Sequence, residues 1–320
     1  MIERGGVKTA LCFTPDLAFF RPAVRTIASL VEAGDADAFD IFIVCEPADV
    51  APGYEALEAA LKARINLLTL DFAALDGGLA PKGRFSRAVF RRLFLDSVLP
   101  ERYPRYVSID ADMLVARPGL GQLTRIDLQG HALAAAYDMI YLMDQKGGPL
   151  AREFQGYRRD LGLEPTTPYF NAGLMIVDRA AWRAAGWAQQ AAEALRATPE
   201  RFPFMEQDAL NCLIRGNFAP LSPRYNFMGD FFLTGLEAEI APIVLHFVNQ
   251  PKPWDYADWR GERRFAKTYA DWFASSPWPE WGWTAQEASR RRGKPRLSPL
   301  RQRFARSLRE FLSATRFVDT

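Results

Sequence analysis

The chain has 320 residues, 49% of them apolar and 24% charged, with a formal net charge of +2. That is an ordinary globular composition, large enough to bury the core of one sizeable α/β domain or two small ones. No apolar run approaches the ~18 residues of a membrane span, since the best candidate, Ala132 to Met143, is broken by Asp138.

The start, Met1-Ile2-Glu3-Arg4-Gly5-Gly6, has no long apolar segment, so no export leader is expected. Val7 to Phe13 reads as a first strand, and Thr14-Pro15-Asp16 ends it before a helical stretch from about Pro22 to Ala33. Asp16 therefore sits at a strand-to-helix junction, where its carboxylate could cap the helix or accept from a base imide. Phe19 could fill the core or stack on a base ring. Asp40 to Cys45 reads as a second strand, Gly53 to Arg64 as a helix and Ile65 to Leu70 as a third strand. This alternation favours a parallel sheet with crossover helices.

Residues 71 to 83 hold three Gly and one Pro and predict a loop. Ser86 has the position of an N-cap for a helix carrying Val89, Phe90, Leu93 and Phe94 at helical spacing. Arg87, Arg91 and Arg92 occupy the remaining positions, as a solvated basic face or as a bidentate clamp on a diphosphate. Tyr106 to Ile109 is a short apolar run that reads as a buried strand, with Asp110 and Asp112 directly after it. Two carboxylates one residue apart at a strand end can converge on a hard divalent cation, although D-x-D is also a common solvated turn.

His131 to Tyr137 predicts another strand, ended by Asp138, and residues 144 to 168 a long loop over the sheet. Tyr169-Phe170-Asn171-Ala172-Gly173 leads into the strand Leu174 to Val177 and, capped by Asp178, a helix with Trp182. Asn171 could be a turn residue or present its amide to a ligand hydroxyl. Glu206-Gln207-Asp208 opens an amphipathic helix with Leu210, Leu213 and Ile214 inward and Gly216 as its stop. Capping and the helix dipole are the ordinary explanation of acids there. Ile243 to Leu245 is a strand placing His246 at its end, where a histidine is either structural or a third ligand for the same ion. Lys252-Pro253-Trp254 follows.

Cys12 and Cys45 lie in apolar runs and Cys212 in a predicted helix, so reduced thiols in the cytosol are expected rather than disulfides or zinc. The charge is uneven. Residues 284 to 320 hold ten Arg or Lys against three acids, +7, which leaves −5 for residues 1 to 283. In that tail Arg290, Arg291, Arg292, Lys294 and Arg296 precede Leu300, Phe304, Leu308, Phe311 and Leu312 at helical spacing. The pattern predicts a main domain over 1 to 283 and a peripheral membrane anchor over 284 to 320 that binds anionic lipid. A helix packed on the domain and a nucleic-acid-binding tail are the alternatives. The lack of another basic patch argues against nucleic acid.

In this order the sequence resembles glycosyltransferase family 8, the group of glycogenin and the bacterial lipopolysaccharide galactosyl- and glucosyltransferases. The resemblance runs from about Val7 to Trp254, through Phe13 to Ser29, Phe90 to Leu95, Ile109 to Val115, Tyr169 to Val177 with Trp182, and Gln207-Asp208 with His246 to Trp254. It implies an α/β chain of the GT-A fold, a single Rossmann-like nucleotide-sugar domain with a mostly parallel mixed sheet flanked by helices. It implies a retaining transfer of glucose or galactose from a UDP-hexose to a glycan or glycolipid, with Mn2+ or Mg2+, at the inner face of the cell membrane. Carried over residue by residue, it makes Asp110, Asp112 and His246 the metal ligands. Asp16, Phe19, Arg92, Ala111, Asp138, Asn171, Gly173 and Lys252 would bind the donor, and Gln207 and Asp208 would be catalytic. The family often has Asn-Tyr where this chain has Ala18-Phe19, and Asp where it has Glu206. The competing functions are a non-catalytic sugar-nucleotide-binding relative, expected to lack a metal ligand or Gln207, and a nucleotidyltransferase, expected to have a Gly-rich loop after the first strand. Phe13 to Arg21 has no Gly.

Overall fold

The computed structural model describes residues 8–83, 85–255, 263–281 and 298–319. Within them lie the strands β1 (Thr9–Phe13), β2 (Phe39–Cys45), β3 (Ile65–Thr69), β4 (Arg105–Ile109), β5 (Met113–Val115), β6 (Leu133–Tyr137), β7 (Phe170–Asp178), β8 (Ala219–Leu221), β9 (Phe227–Met228) and β10 (Val244–His246). Seven form one sheet in the order β3-β2-β1-β4-β7-β6-β8, and β5-β10-β9 form a second. In the large sheet β7 alone runs against the others. The expected mostly parallel mixed sheet is present.

Its central strands are apolar throughout because both faces are covered. Along β1, Leu11 and Phe13 join one core, while Ala10 and Cys12 join the other with Phe90 and Trp182. The first core includes Phe20, Val24 and Ile27 of helix α1 (Leu17–Glu32), for which Asp16 is the N-cap, accepting from Phe19 N at 2.9 Å. The helix starts ahead of the expected Pro22, which lies inside it. All three cysteines are free, Cys12 and Cys45 buried.

Three expectations are corrected. The helix expected from Gly53 to Arg64 is a 3-10 turn at Tyr54–Ala56 and one α-turn at Ala59–Lys62. Tyr54 and Leu57 are its buried apolar anchors, too narrow a face to hold three continuous turns. The run after Ser86 is a 3-10 stretch, Arg87–Phe94, before the α-turn Leu95–Val98, and the Ser86 side chain makes no cap. The loop expected over 144 to 168 contains helix α2 (Gly148–Asp160), whose Gly-Gly-Pro start and high charge concealed it. Helix α3 (Met205–Ile214) forms where expected, and Arg215 and Gly216 both turn left-handed at its end.

The apolar stripe expected to enter a membrane is also corrected. Helix α4 (Pro299–Ala314) buries Phe304, Ala305 and Leu308 in the main core. Phe311 meets the rings of Tyr137 and Tyr141 at 5.8 and 6.1 Å, and Arg309 pairs with Glu239 at 2.9 Å. Beyond the helix, Val318 N donates to Pro220 O at 3.0 Å, and the Asp319 carboxylate accepts from Ser222 N and Oγ at 2.7 Å each. Burying Phe304 and Leu308 against the domain is worth about 1.5–3 kcal/mol apiece, so these side chains are not available to lipid. The basic cluster at 290–296 lies outside the described residues. Among the described residues no helix is long and apolar enough to cross a membrane.

Candidate active site

A cavity of about 530 Å³ lies beyond the carboxyl ends of β1, β4 and β6 and the amino end of the reversed β7. Crevices of this kind hold ligands in open α/β sheets because loops from several strands converge there. Asp16, Phe19, Arg92, Ala111, Asp138, Asn171, Gly173, Gln207 and Lys252 all line it, as do Asp110, Asp112 and His246. Asp208 does not.

The D-x-D stretch joins the two sheets, since β4 ends at Ile109 and β5 starts at Met113. Antiparallel pairing of β10 on β5 sets His246 opposite Met113, and Phe247 N donates to Asp112 O at 2.9 Å. This register brings His246 Nε2 to 3.2 Å from Asp112 Oδ1 and 3.6 Å from Asp110 Oδ2. One donor atom from each of the three lies within 4.8 Å of the others, a two-oxygen, one-nitrogen set suited to manganese or magnesium. Gly173 makes the convergence possible. A Cβ there would strike His246 Cε1 and lie 2.8 Å from Asn171 Oδ1 and 2.9 Å from Asp110 Oδ2.

Two buried cations balance the carboxylates. Lys252 Nζ lies 2.6 Å from Asp112 Oδ2 and donates to Phe247 O at 2.6 Å. Arg92 pairs with Asp110, donates to Ala172 O, and holds Nε 3.2 Å from Glu206 Oε1. Burial alone would raise the pKa of Asp112, but the Lys252 ammonium beside it holds it well below the usual carboxylate range. Burial alone would lower that of Arg92, yet Asp110 and Glu206 raise it. For Glu206 burial wins over the Arg92 charge and pushes the carboxyl up to about 7. The solvated basic face is excluded: Arg91 and Arg92 are buried, Arg91 pairing with Asp49 at 2.5 Å, and the half-buried Arg87 pairs with Asp76 at 2.5 Å.

The opposite wall comes from a sheet irregularity. Tyr137 pairs with Phe170 and Ala135 with Met175, so Ala136 alone faces residues 171–174 of β7. Main-chain groups around the irregularity are used by the site. Ala172 N donates to Gln207 Oε1 at 2.9 Å, Gly173 N to Asn171 Oδ1 at 2.9 Å, and Gly173 O accepts from Asp110 N at 2.7 Å. Asp138 caps the turn Met139–Leu142 through Ile140 N at 2.8 Å, while its second oxygen accepts from Asn171 Nδ2 at 2.8 Å and Gln207 Nε2 at 3.4 Å. Burial raises its pKa against those donors.

Asp208 is fully buried behind this wall, accepting from Tyr157 Oη and Phe204 N at 2.6 Å each and from Tyr169 Oη. Burial pushes its carboxyl up to about 6 despite the tyrosine hydrogen bonds. It ties the first turn of α3 to α2 and to Tyr169, the residue before β7, leaving Gln207 as the cavity-facing member of the pair. Asp16 both caps α1 and lines the cavity, so its two readings are compatible. Phe19 stands edge-on to Trp254 at 6.1 Å, with Lys252 Nζ 5.9 Å from its ring centre. Asn226, which contacts His246, had no sequence signal: only the parallel pairing of β9 with β10 brings it there.

The profile of the family described as Glycosyl transferase family 8 matches residues 16–258. The chain is 25% identical over 185 residues to general stress protein A of Bacillus subtilis (strain 168), covering 53% of this chain and 60% of that protein. It is 23% identical over 184 residues to lipopolysaccharide 1,2-glucosyltransferase of Escherichia coli (strain K12), covering 53% and 50%. The matches thus span about half the length of the curated relatives. Two solved structures share the GT-A fold at 19% identity. One is an active-site mutant of LgtC, with TM-score 0.66 over 81% of this chain and 94% of that one. The other is galactosyltransferase LgtC in complex with donor and acceptor sugar analogues, with TM-score 0.63 over 82% and 96%.

Proposed function

The chain belongs to glycosyl transferase family 8, and on that premise we propose that it moves glucose or galactose from a UDP-sugar to a hydroxyl of a glycan or glycolipid, with retention. The observation carrying this reading is the convergence of Asp110, Asp112, His246 and Lys252 with Asp138, Asn171 and Gln207 on one cavity.

A divalent cation held by Asp110, Asp112 and His246 would neutralise the charge that develops on the departing diphosphate. Lys252 and Arg92, which balance those carboxylates in the free protein, would then turn their charge toward the diphosphate. Asp138 and Asn171 would hold sugar hydroxyls. Gln207, its oxygen fixed by Ala172 N–H, would face the oxocarbenium-like carbon. With Asp208 behind the wall, the reading favours a front-face path, in which the acceptor hydroxyl attacks from the side the phosphate leaves and that phosphate takes its proton.

The acceptor in this reading is a lipopolysaccharide-type or other cell-surface glycan built at the inner leaflet. The exposed Arg303 and Arg306 of α4 would offer an electrostatic contact to anionic lipid, without insertion. Incubation with UDP-glucose and UDP-galactose, with manganese and with a chelator, tests the whole. Manganese-dependent UDP release with an α-configured earliest product is expected. An inverted product, or no release from either donor with any divalent cation, would overturn it.

A further inference from the structure

Asn226 precedes β9 and is 1% exposed. Its carboxamide connects the two walls of the cavity, with Nδ2 2.9 Å from Asn171 Oδ1 and Oδ1 2.8 Å from His246 Nδ1. Amide oxygen and nitrogen exchange places by a half-turn, so each assignment needs an anchor that cannot rotate. The main chain of Gly173 supplies it. An N–H only donates, and this one meets Asn171 Oδ1 at 2.9 Å, which makes that atom the oxygen. An oxygen there demands a donor from Asn226, so Nδ2 faces Asn171 and Oδ1 faces the imidazole. An acceptor facing Nδ1 requires Nδ1 to carry the ring hydrogen. A neutral imidazole has one N–H, so the lone pair lies on Nε2, the nitrogen 3.2 Å from Asp112 Oδ1 and 3.6 Å from Asp110 Oδ2.

We propose that Asn226 is a positioning residue that presets His246 in the Nδ1–H tautomer, so that its Nε2 lone pair and the two carboxylates face a common point before any cation arrives. The proposal rests on the reading of Asp110, Asp112 and His246 as a cation site. Without the Asn226 oxygen the favoured ring places its hydrogen on Nε2 and donates to Asp112 Oδ1, which occupies that point and turns a ligand into a competitor. The two tautomers are close in energy, so one buried hydrogen bond decides between them. Partners of this kind change metal affinity by about 10–100-fold.

The test reads the ring itself in the cation-free protein. The chain has two histidines, His131 and His246, so long-range 15N–1H correlation assigns both with a His131→Gln control. At a pH where the ring is neutral, His246 should show a pyrrole-type Nδ1 and a pyridine-type Nε2. Asn226→Leu should reverse that pattern and weaken Mn2+ binding, followed by electron paramagnetic resonance, by about 10–100-fold. Asn226→Asp keeps an acceptor toward Nδ1 and should retain the wild-type tautomer, which separates tautomer control from loss of fold. Wild-type protein with the hydrogen on Nε2 overturns the proposal, as does a tautomer unchanged in a folded Asn226→Leu. The proposed tautomer in a protein that binds no Mn2+ upholds the role of Asn226 and overturns the cation reading instead.

Discussion

On the wall built by β4, β5 and β10, Asp110, Asp112, Lys252 and His246 face one another directly, with Arg92 completing the charge balance. On the wall built by β7 and α3, Asn171 and Gln207 are tied to the backbone N–H groups of Gly173 and Ala172. The first wall is a balance of exchangeable charges and the second a set of fixed dipoles. Charges near one another in a dry site are stable only while each has a partner, so under the proposed function the first wall would rearrange on binding a diphosphate and a cation. Amides held by main chain need no rearrangement, which suits groups that act on a short-lived transition state. The charged wall should therefore govern whether the donor binds, and the amide wall how fast it reacts.

Asp112→Asn tests the charged wall and should have the largest effect. It removes a cation ligand and leaves the Lys252 ammonium buried without its carboxylate, so manganese-dependent turnover should fall by about 10³-fold with the fold retained by circular dichroism. Substantial manganese-dependent turnover in this variant would remove the cation from the charged wall. Gly173→Ala strikes both walls, because its Cβ meets His246, Asn171 and Asp110 together. A loss of about 10²-fold in turnover and about 1–3 kcal/mol in stability is expected in kinetics and urea unfolding. An active, unperturbed variant would show that the two walls do not share that contact.

Gln207→Ala tests the amide wall alone. It should lower kcat by about tenfold with little change in donor KM, as for an interaction made mainly in the transition state. The reverse split would assign Gln207 to donor binding and dissolve the contrast between the walls. Glu206→Gln probes the smallest difference. With its folded pKa near 7, above the ordinary 4.5, Glu206 holds a proton in the folded chain that the unfolded chain has lost. Its contribution to stability is full below pH 4.5 and disappears as the pH rises through 7, at most about 3 kcal/mol in all. Urea midpoints measured across that window should slope downward for wild type and flatten for the variant. An equal slope in both would place the titration elsewhere.

The two walls also differed in how far the sequence disclosed them. Asp110 and Asp112 follow an unbroken apolar strand, and His246 ends another, so strand ends alone marked the three candidate ligands of the charged wall, while Lys252 came from the family resemblance. The amide wall depends on a slip in pairing between β6 and β7, which no local pattern encodes. Asn171 stood out only as a turn residue that could also offer its amide, the role of Gln207 came from the family resemblance, and Asn226 was missed. Asp208 has the same carboxylate as a catalytic acid, and only the structure shows it buried against the tyrosine hydroxyls of residues 157 and 169, distant in sequence. The tail shows the same limit from the other direction. An amphipathic stripe states that an apolar face must be covered, and whether lipid or protein covers it depends on Tyr137 and Tyr141, more than 150 residues away in sequence.

The C-terminal residues have one more consequence, for solubility. Strand β8 is the outer margin of the large sheet, and it is short and carries Pro220, which has no N–H to offer. Val318 and Asp319 occupy the neighbouring Pro220 carbonyl and the Ser222 N–H. An uncovered sheet margin is a template for another chain. Removal of residues 299–319 should thus produce dimers and larger aggregates that grow with protein concentration, visible by light scattering.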